Sequence, residues 1–269
     1  MDLELAGKRA FVSGSSSGLG QATALELAAE GCDVVVHGRD RERTEETARQ
    51  IEALGRRAVV TTGDLAEVET ANRIAADAIA GLGGIDILVN NCGAVLHMDN
   101  PHWSELDPEE WVRSYRVNFI SALCLSQKFA PGMKERGWGR IINISSTEST
   151  NVEGLLMDYA APKAALNNFT ANASKDLGPH GVTINTVIPG IFHTPSVDRW
   201  MVEMRKEFGW TDDFAENERI CTSELLTQSV RRFGRPKEIA VIVAYLASPH
   251  AGYTNGASIR ADGGHARFI

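Results

Sequence analysis

The chain has 269 residues, 43% of them hydrophobic and 23% charged, which is ordinary globular composition and enough to bury a large core. Its net charge of -8 argues against a nucleic-acid partner, which would call for a basic face. No apolar run approaches the ~18 residues of a membrane span, and the acidic start Met1-Asp2-Leu3-Glu4 does not look like a signal peptide, so a cytoplasmic protein without a membrane partner is expected. Cys32, Cys92, Cys124 and Cys221 are well separated and read as reduced, buried thiols. The histidines show no ligand spacing, so no metal is expected. With no linker, repeat or low-complexity tract, residues 1–269 read as one domain.

Lys8 to Ser13 reads as a first strand, followed by Gly14-Ser15-Ser16-Ser17-Gly18-Leu19-Gly20 and a helical pattern through Glu30. Strand, glycine turn, helix is the context in which a backbone approaches a pyrophosphate and helix-start amides face the anion. Asp33 to His37 is the second strand. A carboxylate at its end would bind the adenosine ribose and repel a 2′-phosphate, but the chain has Gly38 there and then Arg39, whose guanidinium suits a phosphate and an adenine face. A surface arginine in an exposed turn is the plainer alternative, and Asp40 leaves NAD possible beside the favoured NADP. Arg41 to Leu54 reads as a polar helix, Ala58 to Thr62 as a third strand, and Gly63-Asp64-Leu65 as a turn in which Asp64 could simply cap a helix beginning near Glu67.

The apolar run Ile85 to Val89 reads as a strand covered on both faces, ending in Asn90-Asn91-Cys92-Gly93. A long helical segment from Asp107 to about Lys134 opens with a strong cap, Asp-Pro-Glu-Glu, and carries Asn118 in its middle, where asparagine is intrinsically unfavourable. Arg140 to Ser146 reads as a buried strand ending in two serines. Thirteen residues on stands Tyr159, and Lys163 follows four later, on the same helical face. A free tyrosine has a pKa of about 10, and a cation beside it is expected to favour the phenolate and make a usable acid or base. Pro162 inside this helix is tolerable only near its first turn, which predicts a start close to Met157 or Asp158. Val182 to Ile188 is the sixth strand, leading into Pro189-Gly190-Ile191-Phe192-His193-Thr194. Residues 196–229 form an aromatic, charged insertion expected to fold over a substrate as one or two helices; Pro236 to Ala247 is the last long helix and Ala257 to Ala261 the seventh strand.

Taken together, the glycine loop, the Asn-Asn-x-Gly turn, Asn118, the strand ending at Ser146, Tyr159-x-x-x-Lys163 and the Pro189-Gly190 turn resemble the short-chain dehydrogenase/reductase family, from Lys8 to Gly264. The resemblance implies an α/β, doubly wound (Rossmann) fold: a seven-stranded, mostly parallel sheet in the order 3-2-1-4-5-6-7 with helices on both faces. It implies NAD(P)-dependent interconversion of a secondary alcohol and a carbonyl, with Asn118, Ser146, Tyr159 and Lys163 catalytic. Cofactor contacts would come from Gly14, Ser16, Ser17, Gly18, Leu19, Gly20, Arg39, Asp64, Leu65, Asn91, Gly93, Tyr159, Lys163, Pro189, Gly190, Phe192 and Thr194. Asp64 would meet the adenine amine, Leu65 the adenine ring, and the Phe192 backbone and Thr194 hydroxyl the nicotinamide carboxamide. Asn118 would distort its helix and hold a water relaying protons toward Lys163. Ser13 and Cys92 depart from the more usual threonine and alanine without changing the turns.

An NADPH-dependent ketone or 3-oxoacyl-type reductase is the favoured reading; an NAD-dependent alcohol or polyol dehydrogenase and a non-catalytic dinucleotide sensor are the alternatives. A sugar-nucleotide epimerase shares Tyr-x-x-x-Lys but usually carries a separate C-terminal lobe. Val95, Leu96, Leu155, Leu156, Met157 and Phe192 suggest a mainly apolar substrate pocket, with Glu148 the exception that could meet a cationic or polyol substrate. The family is typically homo-oligomeric, tetramer or dimer, and no nucleic-acid partner is expected.

Overall fold

In the computed structural model, residues 2–97, 102–151 and 156–265 are described. Seven parallel strands form one sheet in the order β3-β2-β1-β4-β5-β6-β7. They are β1 (Arg9–Val12), β2 (Asp33–Gly38), β3 (Ala58–Thr62), β4 (Ile87–Asn90), β5 (Gly139–Ile144), β6 (Val182–Pro189) and β7 (Ser258–Ala261). Strand residues alternate between two cores. Ala10, Val12, Val34, Val36, Ile87 and Val89 belong to one, Phe11, Val35 and Leu88 to the other. Both faces are therefore dry, which is why these segments read as continuous apolar runs.

The connecting helices are α1 (Gly18–Ala29), α2 (Arg41–Ala53), α3 (Val68–Leu82), α4 (Pro108–Tyr115), α5 (Ser121–Glu135), α6 (Met157–Leu177), α7 (Pro195–Phe208), α8 (Phe214–Ile220) and α9 (Pro236–Ala247). Among the described residues no helix is long and apolar enough to cross a membrane. The first core is closed by α1 and α9 through Ala24, Leu27, Ile239 and Val243, and the second by α3 and α5 through Ile74, Ala78, Leu125 and Phe129. A third, small core joins Met201, Cys221 and Phe233 to Ile191, Trp200, Trp210 and Phe214, fastening α7 and α8 to the turn after β6.

Several other strand ends move by a residue or two, as where β4 is Ile87–Asn90 instead of Ile85–Val89, but three boundaries bear on the crevice. The segment expected as one helix from Asp107 to Lys134 is two helices joined by a π-helical turn, Arg116–Ile120, with Asn118 buried at its centre. The strand expected to reach Ser146 stops at Ile144, and Ser146 instead caps a short 3-10 turn, its Oγ accepting from the Glu148 N–H at 3.2 Å. The first strand is likewise shorter, Arg9–Val12, with the Ser13 N–H making the last ladder bond to the Val89 carbonyl of β4. α6 begins at Met157, within the expected range, after Leu156 in a left-handed conformation with φ 48°. Pro162 is its sixth residue, so it withholds a helical N–H from the Asp158 carbonyl one turn earlier.

Candidate active site

All seven strands run the same way, so their C-terminal ends share one edge, and order reversal at β1 opens a crevice there between the β1 and β4 ends. The glycine loop after β1 lines one wall. Gly14 and Gly18 have φ of 64° and 59°, values a side chain rarely adopts. A Cβ on Gly20 would lie 2.3 Å from the Gly14 carbonyl oxygen, so the loop folds onto the start of α1 only because that position is bare. Asn91 clamps the loop from the β4 side: its Nδ2 donates to the Ser13 and Gly14 carbonyls at 2.9 and 3.3 Å, while the Asn91 and Cys92 N–H groups both donate to Ser13 Oγ at 2.9 Å.

His37, which sequence reasoning passed over, ties this loop to the next. Its Nδ1 accepts from the Gly14 N–H at 3.2 Å, so Nε2 carries the proton and donates to the Gly63 carbonyl at 3.1 Å. The ring is 1% exposed, and burial pulls the imidazole down from 6.5 to about 4. A histidine held neutral adds stability that is complete above pH ~6.5 and is lost as pH falls toward ~4, amounting to about 3 kcal/mol. Wild type therefore should lose stability over that window in urea unfolding, and His37→Gln should flatten the loss; parallel curves for the two would discard this reading.

Beyond the loop, Gly38 is buried, and a Cβ there would lie 2.4 Å from Thr44 Oγ1 and 2.7 Å from Ser16 Oγ. Arg39 is exposed beside it, with no ion pair or hydrogen bond among the described residues. Asp40 is committed elsewhere: it caps α2, accepting from the Arg43 N–H at 3.1 Å. Asp64 is exposed and shapes its own turn, accepting from the Ala66 N–H at 3.0 Å; the cap of α3 is Glu67, not Asp64. Leu65 is 2% exposed and packs in the second core with Ala71 and Ile74, so its side chain is not open to an adenine ring and only its backbone could serve.

On the other side of the crevice the four residues expected to be catalytic converge. A Cβ on Gly93 would lie 2.9 Å from both Asn118 Oδ1 and Lys163 Nζ, which places the three side by side. The Asn118 amide donates to the Ala94 and Ser114 carbonyls at 2.9 and 3.1 Å, and its Oδ1 accepts from the Ala94 N–H at 3.0 Å. That pairing accounts for the buried asparagine in mid-helix and pins the π turn to the loop after β4. Its amide protons are thereby spent, so the amide is not free to donate to a water.

Lys163 is buried and donates from Nζ to the Ile144 carbonyl at 2.9 Å, with the ammonium 5.6 Å from the Tyr159 ring centre. The Ser146 side chain lies close enough to the Tyr159 hydroxyl to favour the phenolate. Here one expectation is overturned. The phenol was expected to be acidified by Lys163, but burial, opposed by Ser146 and assisted by Glu148, pushes it up to about 12, although the side chain keeps some accessible surface. Burial also brings Lys163 down to about 8. Desolvation outweighs the neighbouring charge because both groups are packed into the crevice, and the ammonium faces the Ile144 carbonyl.

The turn after β6 faces the glycine loop. A Cβ on Gly18 would lie 3.5 Å from Thr194 Cγ2, and Thr194 Oγ1 caps α7, accepting from the Val197 N–H at 3.4 Å. A single parallel bridge between Phe192 and Gly234 uses the His193 N–H and Ile191 carbonyl, leaving the N–H and C=O of Phe192 itself on the opposite side. Pro189 ends β6, and Gly190 lies against Asp262, where a Cβ would come within 2.8 Å of the backbone. Ser17 stands at the start of α1 without a side-chain capping bond, next to the half-buried Ser16 and Leu19. Leu155 lies outside the described residues; Val95 and Leu96 are half-buried, and Met157 is exposed.

A parallel doubly wound sheet with Asn118, Ser146, Tyr159 and Lys163 gathered at its crevice defines a nucleotide-dependent dehydrogenase or reductase. Residues 8–204 match the family model described as short chain dehydrogenase, and the chain belongs to that family, whose members are NAD(P)-dependent oxidoreductases of alcohols and carbonyls. It is 36% identical over 255 residues to the short-chain reductase protein NovJ of Streptomyces niveus, covering 95% of this chain and 92% of that one. It is 31% identical over 265 residues to the 3-oxoacyl-[acyl-carrier-protein] reductase FabG of Aquifex aeolicus (strain VF5), covering 98% and 99%. Among solved structures, L-sorbose reductase from Gluconobacter frateurii, complexed with NADPH and L-sorbose, superposes with a TM-score of 0.91 at 29% identity over the whole of both chains.

Proposed function

We propose that the chain is an NADPH-dependent reductase of ketones, working through Asn118, Ser146, Tyr159 and Lys163, and the observation that carries this is the buried Lys163 standing beside Asn118 at Gly93 with its ammonium 5.6 Å from the Tyr159 ring. A phenol at about 12 holds its proton throughout the neutral range, as a donor to a nascent alkoxide must. Ser146 and Tyr159 together offer two donors to a carbonyl oxygen, whose charge they stabilise as it develops. Lys163 Nζ, next to the bare position 93, is placed to bind a ribose hydroxyl and to return a proton toward Tyr159. The nicotinamide cofactor, when bound, supplies the hydride.

The residues fit such a group. Gly14, Gly18, Gly20 and Gly93 leave the crevice wall without side chains, Asn91 and Asp64 hold the flanking turns, and Leu19, Pro189, Gly190, Phe192 and Thr194 would line the nicotinamide end. NADP rather than NAD is supported by the exposed Arg39, unpaired among the described residues and directly after Gly38, against which Ser16 packs, by Asp40 being used as a helix cap, and by the lack of space for a carboxylate at Gly38. L-sorbose reductase, its NADPH-bound likeness, agrees with that choice.

The substrate class has two candidates. The likeness to the 3-oxoacyl reductase and the apolar Val95, Leu96 and Met157 support a 3-oxoacyl-type ketone. The L-sorbose reductase likeness and Glu148, close enough to influence Tyr159, support a ketose or polyol. We read α7 and α8 as the cover of that substrate, the chain as cytoplasmic, and the assembly as a homotetramer or dimer through α5 and α6; light scattering on the purified protein checks the last. A panel of ketones, ketoses and secondary alcohols with each cofactor tests the reading. NADPH oxidation with at least one ketone is expected. Tight NADPH binding with no turnover across the panel would favour a sensor instead.

A further inference from the structure

Asp158 immediately precedes Tyr159 in the first turn of α6, and its carboxylate is 2% exposed. A buried carboxylate needs a partner, since leaving one uncompensated is strongly destabilising. Among the described residues the partner is His97, from the loop after β4, whose Nδ1 lies 3.0 Å from Asp158 Oδ2. The other ring nitrogen, Nε2, lies 3.3 Å from Glu110 Oε2 on α4, and Arg113 Nη1 stands 3.7 Å from that same oxygen. One ring thus stands between a buried carboxylate of α6, to which it is hydrogen-bonded, and a carboxylate of α4.

We infer that His97 is a positioning residue for this reaction: bonded to Asp158 and facing Glu110, it clasps the first turn of α6, which carries Tyr159, to α4 and the β4 loop. The clasp has a reason to exist at this place. The Leu156 carbonyl accepts the Tyr159 and Ala160 N–H groups, but Pro162 removes the helical hydrogen bond to the Asp158 carbonyl, so the turn that carries Tyr159 has one backbone bond fewer than a regular helix. The approach of Tyr159 to Ser146 then depends on a side-chain tether. The groups facing His97 are Asp158 from α6 and Glu110 from α4, with Arg113 behind Glu110. The inference rests on the reading of Tyr159 as the proton donor.

A double-mutant cycle on the full chain tests it, with NADPH and whichever ketone the panel identifies. His97→Ala should lower kcat on the order of tenfold by freeing the turn and stranding a buried charge, while NADPH affinity by fluorescence titration shifts far less. Adding Asp158→Asn, which removes the stranded charge, should restore most of the lost rate. A role limited to packing would make the double variant as poor as the single one or poorer, and that result, or a His97→Ala enzyme with wild-type kcat, overturns the inference. Should His97→Ala fail to fold, the same cycle is run with His97→Gln, which keeps one donor and should lose less. If wild type binds NADPH but reduces nothing, or if Tyr159→Phe keeps full activity, it is the assignment of the site that fails, and the cycle then has no bearing on it.

Discussion

Tyr159→Phe is expected to lower kcat for ketone reduction by at least ~100-fold, about 2.7 kcal/mol of barrier, with the fold intact and NADPH still bound. The substitution removes one oxygen from a side chain whose ring environment is otherwise unchanged. What disappears is both the proton delivered to the alkoxide and one of two hydrogen bonds to it, since Ser146 alone remains. Because the phenol sits at about 12 in the folded protein, Tyr159 keeps its proton at both pH 6 and pH 8, and the defect should be deep at either. Single-turnover rates with saturating NADPH make the measurement, and a Phe variant within a few fold of wild type would remove Tyr159 from the chemistry.

The second large effect concerns the adenosine end. Arg39→Glu should raise the KM for NADPH by on the order of 100-fold, the size of a lost charge-assisted bond to phosphate compounded by repulsion, while the KM for NADH moves little. The asymmetry follows from what surrounds Arg39. Its guanidinium has no ion pair or hydrogen bond among the described residues, so it is available, and Asp40 beside it is engaged as the cap of α2, accepting from the Arg43 N–H. Equal KM changes for the two cofactors would show that Arg39 stacks on adenine and does not read the 2′-phosphate.

Much of this was legible along the chain. Ala58–Thr62 and Pro236–Ala247 fall where the pattern put them, because an apolar strand between turn residues and a Pro-led amphipathic helix are local signals. The strand order and the gathering of Asn118, Ser146, Tyr159 and Lys163 followed from the family resemblance, not from periodicity. Sequence reasoning failed where the cause lies far off in the chain. Asn118 was recognisable as misplaced in a helix, but the extra residue of its π turn depends on Ala94, which spacing does not expose. His37 bridges Gly14 to Gly63, and His97 finds Asp158 sixty-one residues away; a lone histidine carries no local mark of such duties. The ionisation of Tyr159 was misread for a related reason: Lys163 does lie on its face of the helix, but the desolvation that outweighs that neighbour is a property of the whole packed crevice.

The π turn also fixes how α4 and α5 can vary. One residue in an α-helix corresponds to about 100° of rotation, so the wider turn at Arg116–Ile120 works as a phase shifter between two rods that would otherwise be one. Losing a single residue there would straighten the pair and swing Glu110 and Ser114 around the axis, away from the loop that holds Ala94 and His97. Length at this joint is thus as tightly constrained as identity, and insertions or deletions tolerated at either end of the α4–α5 unit would be felt here as a rotation of one whole wall of the cleft.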